Sequence, residues 1–168
     1  METVDLRTLQ APLKERYRSD PASAVVTLAA SGALGAGVTC SVETGQALVR
    51  AGLHPATGGP PVNVCSGDML LQALVACAGV TMNAVATALG FAIRDAKVSA
   101  EGDIDFRGTL GVDREAPVGF REIRLGFAID GDLTEEQLAT LVRLTERYCV
   151  VLQTIRKGPA VAVSARIA

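Results

Sequence analysis

The sequence predicts an α+β domain built mostly of antiparallel strands. Three observations carry this. Strand-like stretches come in groups, not in strict alternation with helices. A run without a single charge, residues 69–93, occupies the middle of the chain at helical length. Neither GxGxxG nor GxxxxGK[ST] occurs, so a nucleotide-binding α/β alternation is not expected. A length of 168 residues suits one domain. It is read as a single unit over 1–168, with residues 1–21 as an N-terminal helical extension.

Composition narrows the function classes. Apolar residues make up 49% of the chain and charged residues 20%, a globular balance. The net charge is −2, and no basic run exists that would track phosphates, so no nucleic acid partner is expected. Trp is absent, which leaves Ala, Val and Leu to build the core. The N-terminal stretch is polar and charged, without a secretory pattern, and a cytoplasmic location is expected. There the four cysteines, Cys40, Cys65, Cys77 and Cys149, need not form a disulfide framework. No Cys-x-x-Cys pair occurs and His54 is the single histidine, so neither a metal nor a cofactor is expected.

The elements follow in order. Residues 3–18 read as a short amphipathic helix interrupted by Pro12. Residues 24–31 read as a strand, and Gly32, Gly35 and Gly37 bracket a hairpin. Residues 38–43 and 46–51 form the next two strands, with Cys40 on the inward face as core packing. Residues 52–65 hold three glycines and three prolines, a loop of the functional kind.

Ser66 is expected to cap the long helix, with Asp68 in its first turn, where the helix dipole favours negative charge. Residues 69–93 are long enough to span a membrane. Gln72, Thr81, Asn83 and Thr87 interrupt the run, and Ala dominates it. A surface helix would need a charged face, which is missing. The expected state is a helix buried nearly all round at the centre of an oligomer, with no membrane involved.

Strands are expected over 94–110 and 120–130, the second with a phase slip near Glu122. Thr134 and Gln137 match a capping box for a further helix. Leu138, Leu141, Val142, Thr145 and Cys149 then share one stripe, on or just past that helix. Gly158-Pro159 breaks the chain before a last strand at 160–167.

The stretch GLHPATGGPPVNVCSGDMLLQALVACAGVTMNAVA resembles the OsmC/Ohr family, osmotically inducible protein C and organic hydroperoxide resistance protein. The shared pattern is a Gly/Pro-rich loop, an acid, then LL-x-AL-x-AC inside a long helix. A second mark is TERYCVVLQTIRKGPAVAVSARIA, a cysteine at a helix end before a bridge and a final strand. The resemblance runs from about residue 22 onward. It implies an OsmC-like fold: mostly antiparallel sheets wrapped around the long buried helices of an intertwined homodimer. It also implies a thiol-dependent peroxidase acting on organic hydroperoxides in oxidative-stress defence. Cys77 aligns with the peroxidatic cysteine and Cys149 with the resolving one, and an external dithiol reductant is needed. Two positions differ from the family pattern. The usual Cys-Pro is Cys149-Val150, and the early hairpin has Ala33-Leu34 where the hydroperoxide-resistance branch has an arginine.

Supporting residues are named with their plainer alternatives. Arg18 and Arg50 are the available substitutes for the arginine, Arg50 otherwise being a solvated strand-end charge. Asp68 either orients such a cation or is a helix-start charge. Cys65 is a loop residue or an alternative resolving thiol, and His54 lines the site or stays exposed on its loop. Cys77 itself is otherwise a small buried hydrophobe. The competing function is a non-catalytic homologue that binds a small molecule or lipid, with structural cysteines.

Overall fold

The computed structural model describes residues 32–34, 39–43, 48–111 and 113–167, together with Thr8 and Ser19. The helix expected over 3–18 and the strand over 24–31 fall outside these residues, Thr8 apart.

Strands β1 (Gly32–Leu34), β2 (Thr39–Glu43) and β3 (Leu48–Gly52) form an antiparallel meander. A two-residue strand, β4 (Val64–Cys65), joins β3 in parallel. β1 begins at Gly32, the first of the glycines expected to bracket the hairpin, and pairs Gly32 with Val42 and Leu34 with Cys40; Gly35 and Gly37 lie outside the described residues. The first long helix, α1, spans Ser66–Leu89. Two sequence expectations are corrected at its ends. Cys65, still extended, is the N-cap and Ser66 is already helical; Cys65 makes no side-chain cap bond. The helix stops at Leu89, not at Ile93. Gly90 takes φ 71°, a left-handed value that costs glycine little, and its N–H closes on the carbonyls of Ala86 and Thr87.

β5 (Ile93–Ile104) and β6 (Phe120–Gly131) pair as a long antiparallel ribbon. Inward pairs such as Val98 with Phe127 and Ala100 with Leu125 alternate with outward charges. Outside, Arg124 meets Asp103 at 2.6 Å and Arg94 meets Asp130 at 2.6 Å, both exposed. The phase slip expected near Glu122 is a bulge. Asp103 pairs with Glu122 but Ile104 pairs with Phe120, which leaves Arg121 over. Between the two strands, β5 ends at Ile104 and not at 110. Asp105 accepts from the Arg107 N–H and caps a single helical turn, α2 (Phe106–Thr109).

α3 (Glu135–Tyr148) starts with the predicted capping box. The Thr134 hydroxyl accepts from the Gln137 N–H at 3.2 Å, and the Gln137 amide oxygen accepts from the Thr134 N–H at 2.9 Å. A short helix follows, α4 (Val150–Arg156), where the sequence suggested only a bridge. The strand expected at 160–167 is absent. Residues 157–167 have no regular structure, and Val161 and Val163 are exposed. A strand needs a ladder partner, and among the described residues this segment has none.

The core lies where α1 crosses the inner face of the β5–β6 ribbon and meets α3 and α4. Leu74, Ala78, Met82 and Ala86 recur every fourth position and are buried. Leu141 is fully buried against Met82 and Ala86. α1 thus buries one stripe within the chain, while its opposite face, with Val80 73% exposed, stays open. By length and composition, this helix alone among the described residues could cross a membrane. Thr145 is 1% exposed and its hydroxyl has no partner, a local cost in the midst of the core.

Candidate functional site

The site is built by α1 and by the α3–α4 junction. Cys77 sits three turns into α1, between Leu74 and Ala78 of the buried stripe, and is half-buried. Cys149 is at once the C-cap of α3 and the N-cap of α4, with φ −71° and ψ 106°. Its N–H still bonds the Thr145 carbonyl at 2.9 Å, while its own carbonyl accepts from Gln153 at 2.9 Å. This double role fixes the side chain in the core, where it is 0% exposed. Cys77 packs against the cluster formed by Leu74, Ala78, Cys149 and Leu152. Two residues separated by most of the C-terminal half are thereby neighbours. Both thiols are free.

The two sulfurs are electrostatically unequal. Burial raises the Cys77 pKa, but four donors outweigh it and the net direction is down. They are the Val151 N–H, the Cys149 thiol, the Thr81 hydroxyl and the Val150 N–H. Thr81 is one helical turn beyond Cys77 and so shares its face. Burial pushes the Cys149 thiol up; N–H groups of Leu152 and Val151 oppose this, and the adjacent Cys77 sulfur adds to the rise. Relative to an ordinary thiol, Cys77 is shifted towards the thiolate and Cys149 away from it.

The supporting residues proposed from sequence do not gather here. Cys65, His54 and Asp68 line a separate hollow of about 330 Å³ with Phe106 and Phe120. His54 is occupied structurally: its Nδ1 accepts from the Ala56 N–H at 3.0 Å, and its ring stacks on Phe106 at 4.9 Å. Cys65 precedes Cys77 by twelve residues of helix, about 18 Å of rise. That distance removes it as a resolving thiol within one chain. Asp68 stands in the first turn of α1, as expected, but well over two turns from Cys77. Arg50 is exposed on β3, opposite Ser41. Arg18 lies outside the described residues. Four arginines in the vicinity of the ribbon and helices are tied to carboxylates: Arg94, Arg107, Arg124 and Arg156. None of them is among the groups that set the Cys77 pKa.

Sequence reasoning missed Thr81, Val150 and Val151. Thr81 was legible as the i+4 neighbour of Cys77. The two valines act through backbone N–H groups, which carry no side-chain signature. Among the described residues no cluster of three metal-ligating side chains forms. A cleft of about 810 Å³ adjoins the cysteines, sharing Leu74, Leu152, Ile123 and Leu125 with their packing shell, with Arg121, Glu122, Glu146 and Arg156 also along its lining.

A search of curated proteins finds no match. Solved structures similar in fold include the following three. An OsmC-like protein from Mycoplasma pneumoniae matches with TM-score 0.66 at 19% identity, covering 79% of this chain and 89% of its own. An organic hydroperoxide resistance protein from Elizabethkingia anophelis, with crystallant-derived thiocyanate bound, matches at TM-score 0.63 and 18% identity, covering 80% and 91%. An organic hydroperoxide resistance protein from Legionella pneumophila matches at TM-score 0.62 and 17% identity, covering 79% and 91%. Such identities speak for the fold alone. The family description "OsmC-like protein" matches residues 59–164, which contain both cysteines of the pair, the ribbon and the central helix. On that match the chain belongs to the OsmC-like protein family.

Proposed function

We propose that the protein is a thiol-dependent peroxidase that reduces organic hydroperoxides in a reducing cytoplasm. The observation that carries this is the inequality of the adjacent thiols, a half-buried Cys77 pulled towards the thiolate beside a buried Cys149 pushed away from it. Fold relatives named as hydroperoxide resistance proteins support the same reading.

The Cys77 thiolate attacks one oxygen of the peroxide. An S–O bond forms, the O–O bond breaks, and the alkoxide takes a proton and leaves as the alcohol. Cys77 is then a sulfenic acid, oxidised by two electrons. The Cys149 sulfur attacks it, an S–S bond forms, and the sulfenic oxygen leaves as water. An external dithiol returns both thiols by exchange. The cleft, apolar beside Leu74 and Leu152, suits a substrate with a greasy tail.

The test is mass spectrometry after one equivalent of cumene hydroperoxide. A Cys77–Cys149 disulfide is expected, and Cys77→Ser should abolish hydroperoxide consumption. Unmodified thiols, or consumption unchanged in Cys77→Ser, refute the reading. Because the nucleophile is the thiolate, the rate should fall as pH drops below the lowered Cys77 pKa and level off above it. A second reading, a lipid-binding homologue with inert cysteines, draws on the same cleft. It predicts co-purified ligand and no disulfide.

The protein acts as a homodimer in this proposal. The exposed face of α1 with Val80, and the segment 160–167, which has no strand partner among the described residues and leaves Val161 and Val163 exposed, support it. Sedimentation equilibrium without detergent should give twice the chain mass, and Val80→Asp should shift the equilibrium to monomer. A monomer at micromolar concentration would rule the dimer out.

A further inference from the structure

Beside α3 and α4 lies a further hollow, of about 640 Å³, that neither cysteine lines. Arg143, Glu146, Arg147 and Tyr148 of α3 border it, with Gln153 and Arg156 of α4 and its C-cap Lys157. Four cations and one carboxylate meet there, a local charge of +3 in a chain whose total is −2. Helix dipoles account for single cations at the two helix ends, Arg147 on α3 and Arg156 on α4. They do not account for Arg143, a turn further back, or for four cations around one space. Arg143 and Arg147 stand at i and i+4, where like charges repel. Among the described residues, Arg143, Arg147 and Lys157 have no carboxylate within ion-pair distance, unlike Arg94 and Arg124 of the ribbon. The surround is tied together. The Gln153 amide donates to the Glu146 carbonyl at 2.7 Å, and the Arg147 guanidinium lies 5.7 Å from the Tyr148 ring centroid.

Glu146 and Arg156 line both this hollow and the cleft of about 810 Å³. Their ion pair, at 3.1 Å, stands where the two spaces meet. On the cleft side of that pair, Leu74, Val142, Leu152 and Ile155 form an aliphatic wall.

We propose that the two spaces together bind a phosphate-headed amphiphile. The head group sits among Arg143, Arg147, Arg156 and Lys157, and a single aliphatic chain crosses the Glu146–Arg156 pair into the cleft. Charge complementarity selects the head. A surplus of +3 suits a dianionic phosphate monoester better than a carboxylate, and guanidinium forks match its oxygens. The aliphatic wall selects the tail. A neutral lipid leaves the cations unanswered, and inorganic phosphate leaves the cleft unfilled. The inference goes beyond the peroxidase reading, because no step at Cys77 or Cys149 enters it.

The test is isothermal titration calorimetry on the full, reduced chain at pH 8, without hydroperoxide, so its result is independent of turnover. Octyl phosphate, kept below its micelle concentration, should bind saturably. It should bind on the order of tenfold or more tighter than butyl phosphate, because each buried methylene is worth about a factor of four. Added salt should weaken it, and octanol should bind far more weakly. Arg143→Gln combined with Lys157→Gln should weaken octyl phosphate about tenfold, the low end for a hydrogen bond to a charged group. Both side chains are exposed, so the fold is expected to persist. Glu146→Gln should instead tighten binding, because it releases Arg156 and removes the negative charge from the hollow. A damaged fold does not produce a gain. Octanol equal to octyl phosphate, butyl equal to octyl phosphate, an unchanged double variant, or a Glu146→Gln variant that binds no tighter overturns the inference. So does binding confined to phosphatidic acid vesicles, which would make the basic face a membrane contact.

Discussion

Cys149→Ser should consume one equivalent of hydroperoxide and then stop. Cys77 keeps most of its donors in this variant, because the N–H groups of Val150 and Val151 and the Thr81 hydroxyl remain. The first oxidation is therefore expected to proceed. The sulfenic acid then meets a serine hydroxyl, which cannot form a disulfide. Steady-state turnover with a dithiol should drop on the order of a hundredfold, since the second step of a two-step covalent route is removed. Dimedone should label Cys77 in the variant and leave the unaltered protein unlabelled after oxidation. Turnover near the original rate would mean that Cys149 resolves nothing. The burial of Cys149 makes the variant informative in a second way. At 0% exposure no external thiol reaches it before Cys77 does, so the pair must react internally.

Leu74→Ala and Leu141→Ala should each destabilise the fold by about 3–5 kcal/mol, the range for removing a fully buried leucine and leaving a cavity. Both side chains are 0% exposed. A domain of this size has a total stability of about 5–15 kcal/mol, so either variant stays folded only if the parent lies in the upper part of that range. The two differ in what they disturb. Leu141 packs with Met82 and Ala86, in a cluster that excludes the cysteines. Leu74 belongs to the cysteine cluster and also lines the cleft. Denaturant midpoints should fall in both, whereas Cys77 alkylation should change in Leu74→Ala alone. Equal effects on the thiol would show that the two clusters are one cooperative unit.

Cys77 and its helix were legible because the signal is local. An uncharged run ended by Gly90 and a four-residue apolar stripe need only helical spacing to be seen. The capping box at Thr134 and the alternation of β6, including its slip, are local in the same sense. The family could be named from two short stretches for that reason. What the sequence alone determined is therefore the main elements and the fold class, with Cys77 singled out as the candidate nucleophile.

The tertiary structure decided everything that depends on groups far apart in the chain. It joined Cys149 to Cys77, and it sent Cys65, His54 and Asp68 to a different hollow. It showed α4 where only a short bridge was expected, because Val151, Leu152 and Ile155 find the core from a helix. It also withheld the last strand, since a strand exists only with a partner edge. The activation of Cys77 belongs wholly to this second class. Its donors include backbone N–H groups, which every residue except proline carries. Their effect depends on where the helix end is aimed, and no residue type records that.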